Sequence, residues 1–311
     1  MRMSLFASLA ALECVLGAAA GPVRAQEATG SFQRSLDTGQ IKEVDVSTGS
    51  GAISAHRGDA GRIEVKGEIR VRERRGRSQA DAEEIVRRLQ ADPPIETAGD
   101  VLRIGRIDDP DLRENVTMSY EISLPADLHV NAEAGSGRIS LSQLSGGARA
   151  EAGSGEIMVS NVSGGVELRA GSGTIRATGV MGGLRAMTGS GDIVVERSGP
   201  GDVEVTAGSG DDVRLTGLEG SLSARTGSGD VEVDGRPAGT WGIETGSGDL
   251  TVRLPDDASF DLSARTGSGD IDVQQPLTVQ GRVEHGELNG KVRGGGPLLR
   301  LRTGSGDVRI E

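Results

Sequence analysis

Ser223-Ala224-Arg225-Thr226-Gly227-Ser228-Gly229-Asp230-Val231-Glu232-Val233 decides the fold of this 311-residue chain. Apolar or small residues fall at every second place on both sides of a Gly-Ser-Gly turn, the period of a strand with one buried face. Counted from the first glycine, the inward places are −5, −3, −1, +4 and +6, filled here by Leu222, Ala224, Thr226, Val231 and Val233. The same frame fits Val166, Leu168, Ala170, Ile175 and Ala177, and again Trp241, Ile243, Thr245, Leu250 and Val252. Copies of Gly-Ser-Gly begin at 49, 135, 153, 171, 189, 208, 227, 246, 267 and 304, with steps of 18 or 19 residues through most of the array. A fixed period of this size marks a repeat stack in which each unit buries its apolar face only against its neighbours.

Each unit therefore reads as strand, glycine turn, strand and a second turn such as Gly182-Gly183 or Pro237-Ala238-Gly239. Stacking lays equivalent strands side by side at about 4.8 Å, giving an all-β, parallel β-solenoid for which right-handed crossovers are favoured. The candidate structural residues are the turn glycines: Gly135 and Gly137, Gly153 and Gly155, Gly171 and Gly173, Gly189 and Gly191, Gly208 and Gly210, Gly227 and Gly229, Gly246 and Gly248, Gly267 and Gly269, Gly304 and Gly306. The degenerate unit Gly286-Glu287-Leu288-Asn289 is counted as a further rung. With it, position −2 reads Arg225, Glu244, Arg265, Glu284 and Arg302, an alternation of charge along the stack. The last strand, Val308 to Ile310, has nothing behind it and is expected to be an unpaired edge for end-to-end self-association.

The frame starts early, at Val44, Val46, Thr48, Gly49, Ile53 and Ala55, and then breaks. Residues 62–71, 101–107 and 116–124 read as strands. Residues 79–91 read as one inserted helix with Ser78 as N-cap and Asp81 three residues on, stopped by Pro93-Pro94 and covering the side or end of the stack. Residues 26–311 are thus one solenoid domain, irregular over 26–134 and regular over 135–311. Residues 1–25, with Arg2, an apolar run and Val23-Arg24-Ala25, have the outline of a cleaved signal peptide, which implies export to the periplasm, cell surface or medium. The one cysteine, Cys14, leaves with it, so the mature chain has no thiol chemistry.

The net charge of −12 argues against nucleic acid and anionic lipid as partners, and no later segment is apolar enough for a membrane span. His56, His129 and His285 lack any partner spacing, and the serines lie in glycine turns without a paired base. The chain has one Trp, one Tyr and three Phe, with Trp241 and Phe260 in inward phase, which removes the aromatic platforms of a sugar cleft. Position +3 carries Asp192, Asp211, Asp230, Asp249, Asp270 and Asp307. Either each accepts hydrogen bonds from turn N–H groups, with no cofactor, or the column binds calcium. A carbohydrate-active β-helix enzyme is the third reading, and a non-catalytic structural or adhesive module is the leading one.

The run Tyr120-Glu121-Ile122-Ser123-Leu124-Pro125, then Val130 to Gly137, then repeated Thr-Gly-Ser-Gly-Asp, resembles the bacterial DUF4097 proteins over residues 40–311. The resemblance implies a secreted or cell-envelope β-solenoid, described in that family as a candidate adhesin, whose partner would be a surface ligand or an envelope protein.

Overall fold

The computed structural model describes residues 27–72, 78–107, 109, 116–209, 212–279 and 286–311. Residues 1–25, Gly210, Asp211, Glu284 and His285, all part of the sequence reading, lie outside the described residues. The architecture is the expected all-β stack of mostly parallel strands with a single described helix. Seven strands precede the regular array: β1 (Glu27–Asp37), β2 (Glu43–Thr48), β3 (Ile53–Arg57), β4 (Arg62–Arg72), β5 (Ile95–Ala98), β6 (Val101–Ile104) and β7 (Val116–Leu124). The array continues with β8 (His129–Ala134), β9 (Ile139–Ser142), β10 (Ala148–Ala152), β11 (Ile157–Ser160), β12 (Val166–Ala170), β13 (Ile175–Val180), β14 (Leu184–Thr188), β15 (Ile193–Arg197) and β16 (Val203–Ser209). Two long strands, β17 (Val213–Ser228) and β18 (Val231–Ser247), each run through a second turn, and β19 (Leu250–Arg253) follows. The chain closes with β20 (Phe260–Thr266), β21 (Ile271–Val273), β22 (Leu277–Val279), β23 (Glu287–Val292), β24 (Leu298–Ser305) and β25 (Val308–Ile310).

Strands before and after the Gly-Ser-Gly turns form two stacked faces in register at the repeat period, as in Ala150 opposite Leu168 and Ile157 opposite Ile175. The −5, −3, −1, +4 and +6 residues face each other across a thin core, and Trp241 and Phe260 are both fully buried in inward phase as the alternation requires. Small residues at −3, such as Ala132, Ala186 and Ala224, are buried beside the larger −5 residues Val130, Leu184 and Leu222 and let the two faces approach closely.

The ends depart from a simple stack. At the amino end, β2 is hydrogen-bonded to both β6 and β8, and β3 to both β7 and β9, so the first rung is the second layer. Antiparallel strands close this end: β4 pairs with β7, β1 with β4, and β5 with β6. The helix α1 (Gln79–Ala91) lies where the sequence places it, with the Ser78–Asp81 capping box formed. It buries Ala82, Ile85, Val86 and Leu89 against β1 and β4. Gly30 of β1 sits beneath Val86 and Gln90, where a Cβ would collide with both.

At the carboxyl end three expectations are corrected. The final rung is not an end: β24 lies between β18 and β20, and β25 between β19 and β21, so the Val308–Ile310 strand is paired on both edges and offers none for self-association. The Gly286 unit is not a rung either, because β23 runs antiparallel to β20 and to β22 and serves as a cap. The −2 column therefore stacks in the order Arg225, Glu244, Arg302, Arg265 and not in chain order. The physical reason is that the outermost strand leaves a row of unpaired N–H and C=O groups, and antiparallel β23 pairs with that edge of β20 where another parallel rung would only move the open edge outward.

This register is testable by crosslinking. Residues 244 and 302 are direct partners about 5 Å apart, whereas 244 and 265 are two layers, about 10 Å, apart. In oxidised protein, Glu244→Cys/Arg302→Cys is expected to form an intramolecular disulfide and Glu244→Cys/Arg265→Cys to remain reduced. The opposite result by mass spectrometry would restore chain-order stacking.

Candidate functional site

The residues that the repeat keeps constant are those that meet at the turn column. Every first glycine from Gly135 to Gly304 stacks on its equivalent in the layer beneath, where a Cβ would press into that residue's carbonyl oxygen; Gly267 meets Gly304, and Gly304 meets Gly246, in accord with the revised stacking order. The third glycines come in two forms. Gly191, Gly229, Gly248, Gly269 and Gly306 have φ between 127° and 151°, a region that favours glycine, and each of these turns carries Thr before the motif or Asp after it. Gly137, Gly155 and Gly173 do not have such φ values, and their turns read Ala-Gly-Ser-Gly followed by Arg, Glu or Thr. They are glycine for lack of space alone, since the carbonyl oxygen of the glycine below occupies the Cβ position.

In the Thr-Gly-Ser-Gly-Asp form the threonine hydroxyls and the aspartate carboxylates link neighbouring layers. The buried −1 hydroxyls of Thr245, Thr303 and Thr266 donate to the carbonyls of Gly229, Gly248 and Gly306 at 3.3, 3.0 and 2.9 Å. The aspartates accept in turn. Asp230, Asp249 and Asp307 each receive the backbone N–H of the aspartate in the next layer, from Asp249, Asp307 and Asp270 at 2.9, 2.9 and 3.0 Å. The turn reading of this column is thereby given its geometry, with one change: the acceptor serves the next layer and not its own turn. A second change concerns Asp211. Val213 aligns with Ile193 and Val231, so Asp212, one residue later, holds the column place, accepting from Asp230 N–H at 3.4 Å and donating its own N–H to Asp192 at 3.3 Å. Among the described residues no three His, Cys, Asp or Glu side chains lie close enough together to hold a metal ion. His56 points outward at the edge of β3, and His129 Nδ1 lies 3.2 Å from the Gly146 carbonyl.

The outward face of the first-sheet strands carries the strongest electrostatics. At −4 and −2, Arg149 pairs with Glu151 at 2.6 Å and Glu167 at 3.3 Å, Arg169 pairs with Glu151 at 2.8 Å and with Glu167, and Arg185 pairs with Glu204 at 2.5 Å. On the second sheet Glu232 is held between Arg214 at 2.7 Å and Arg253. Hydrogen bonds from these arginines hold Glu151 and Glu232 below the usual carboxylate range. These ladders were readable as columns in the repeat frame, but only the −2 column over the last rungs draws attention in the bare sequence.

One charged residue stands inside the core. Arg197 is 6% exposed in a place filled by Leu144, Val162 and Val180 in the preceding layers. Its Nη2 donates to Gly199 O at 3.0 Å, while Nε and Nη1 have no partner. Burial lowers its pKa, and Asp202 offsets this only in part. Removing an incompletely satisfied buried charge gains stability. Arg197→Met is expected to stabilise the protein by about 1 to 3 kcal/mol, read as a higher melting temperature; a lower one would show that the guanidinium is better satisfied than this geometry allows.

No curated protein matches the chain. Three solved structures are similar to it. A candidate cell adhesion protein from Clostridium sporogenes is 12% identical, with a TM-score of 0.22 over 91% of this chain and 99% of that one. A candidate adhesin from Parabacteroides distasonis is 13% identical, with a TM-score of 0.35 over 91% and 97%. Another, from Bacteroides fragilis, is 12% identical, with a TM-score of 0.28 over 91% and 97%. At these values the likeness assigns neither ligand nor activity. The model of the family described as Toastrack DUF4097 matches residues 35–311, which is all of the described chain except most of β1. The chain belongs to the Toastrack DUF4097 family.

Proposed function

We propose that this protein is an exported, non-catalytic binding module of the bacterial envelope, which presents a rigid ladder of charged side chains to a surface partner. The observation that carries the reading is the pairing of outward arginines and glutamates across layers, from Arg149 to Glu204, on a backbone locked by stacked glycine turns. A flat face of fixed spacing suits repeated weak contacts, whose summed avidity does not require a cleft. A general acid needs a carboxyl whose protonated form is favoured, and Glu151, Glu232 and Asp257 are driven the other way by their arginines. This favours binding over glycoside cleavage. Calcium takes six to eight oxygen ligands, whereas the aspartate column has an oxygen of each carboxylate committed to a backbone N–H of the next layer, from Asp192 through Asp307. This favours the metal-free form of the module.

Beads coated with residues 26–311 are expected to attach saturably to bacterial or host-cell surfaces, with soluble protein competing and EDTA without effect. Turnover of an envelope polysaccharide that is lost when one carboxylate is substituted would replace this reading with an enzyme. EDTA-sensitive attachment would replace it with the calcium-dependent module.

A further inference from the structure

The corrected register creates a cluster that chain order does not contain. In chain order Glu284 would separate Arg265 from Arg302. In the structure β24 enters between β18 and β20, which places Arg302 directly beside Arg265 and Arg300 beside Ser263 on the same outward face. Arg300 and Arg302 are two residues apart and so point the same way. All three are exposed. Among the described residues the only acid paired with any of them is Glu244, 4.0 Å from Arg302 and also 3.6 Å from Arg225. Glu287, the backbone partner of Arg265, is turned to the Asn289 amide at 2.9 Å. Among the described residues Arg265 and Arg300 have no ion pair. Farther up the same face Arg149, Arg169 and Arg185 are all paired with glutamates, so the excess of positive charge is confined to these layers.

Like charges placed directly opposite on neighbouring strands are destabilising, so this arrangement has a cost that a bound anion would remove. Beside Arg225 and Glu244 the outward −4 column carries only Ser223 and Gly242 before it reaches Arg300. Gly242, the partner of Arg300, has no steric need to be glycine: a Cβ there would meet nothing nearer than the Leu222 carbonyl at 4.0 Å. A shallow strip thus runs along the row of guanidiniums.

We infer that this face, formed by Arg225, Arg265, Arg300 and Arg302 with Gly242 as its floor, binds a linear acidic polysaccharide through its uronate carboxylates. The inference rests on the binding reading above and names its ligand class. Guanidinium forks match carboxylates bidentately, and Arg302 and Arg265 in successive layers about 4.8 Å apart, with Arg225 two layers from Arg302 beyond Glu244, meet a polymer whose carboxylates recur along a line. Nucleic acid is disfavoured because, among the described residues, this face carries no exposed aromatic on which bases could stack, Trp241 being fully buried. The exposed large hydrophobic residues Met181, Met187 and Val279 belong to other strands and loops, so the strip offers nothing for insertion into a lipid surface.

The test uses residues 26–311 and polygalacturonate at low ionic strength, with its methyl ester as the uncharged control. Saturable binding is expected to polygalacturonate alone. Arg300→Gln/Arg302→Gln is expected to weaken it at least tenfold, and Gly242→Val, which fills the strip without changing charge, at least threefold. Arg87→Gln/Arg88→Gln, exposed on helix α1 and away from this face, should stay within twofold of wild type. Arg265→Gln separates ligand binding from structure: affinity should fall while the melting temperature stays level or rises, because a like-charge contact is removed. Equal loss from the Arg87 and Arg88 pair, equal binding of the methyl ester, or tighter binding of polyglutamate or DNA would overturn the inference. If polygalacturonate does not bind while coated beads still attach to cells, the ligand assignment falls and the binding reading stands.

Discussion

Deletion of residues 298–311 is expected to unfold the whole carboxyl end of the stack back to β18 instead of shortening it by one layer. These residues form β24 and β25, and each is hydrogen-bonded on both sides, to β18 and β20 and to β19 and β21. Leu299, Leu301, Val308 and Ile310 are all completely buried. Burying such side chains contributes about 1.5 to 3 kcal/mol each, so the four supply roughly 6 to 12 kcal/mol. That is comparable with the entire stability of a typical domain, about 5 to 15 kcal/mol. With the layer gone, β20 and β21 have no parallel partner, and β23 and β22 are left as a small antiparallel sheet of marginal stability. Limited proteolysis of the truncated protein should cut between residues 255 and 297, and a thermal melt should lose amplitude or cooperativity. Full protection of residues 260–292 in the truncated protein would refute the double pairing.

The second large effect is at the turns. Gly155→Val is expected to destabilise by more than about 3 kcal/mol, in the range that marks severe overpacking. The Cβ position of Gly155 coincides with the carbonyl of Gly137 in the layer below, and a backbone carbonyl held in a strand ladder cannot move aside as a side-chain tip can. Ser154→Ala, one residue earlier and exposed, should change stability by no more than about 0.5 kcal/mol. The pair of thermal melts isolates stacking clearance from turn conformation, because Gly155 does not have a positive φ whereas Gly248, at 142°, does. Gly248→Ala should therefore suffer from both causes, and similar small losses at all three positions would mean that the layers are not in van der Waals contact at the turn.

What a single rung does was legible from its residues. Alternation around Gly-Ser-Gly placed Ile175, Ala177 and Trp241 inward, and Ser78 with Asp81 fixed the start of the one helix, because these are local consequences of side-chain period and capping. The order of rungs was not legible. Leu299 and Leu262 present almost the same pattern to a neighbour, so nothing local distinguishes a final layer from one inserted between earlier ones; that choice is made by which edge β23 closes. The candidate site inherits the same division. The aspartate column was visible, yet its true member in the fifth regular turn, Asp212, is revealed only by the alignment of Val213 with Ile193. The Arg302–Arg265 contact depends wholly on rung order, and chain-order reading turned it into a neutral alternation. Arg197 was invisible for another reason: a residue just before a second turn, followed by Ser-Gly-Pro-Gly, reads as exposed until its neighbours Val162 and Val180 show that the place is interior.

Both the earliest rung and the latest rung are interior layers, with β2 and β3 lying between two others just as β24 and β25 do. A tandem copy added before Glu43 or after Glu311 would find the rung next to it already paired on both sides. A member of this family can therefore grow or shrink in whole repeats only by duplication or loss within the uniform middle, between about β8 and β17, where one 18-residue unit replaces another without disturbing either plug. Variation in repeat number among relatives should be confined to that stretch, with the two plugs keeping a fixed length whatever the length of the rod.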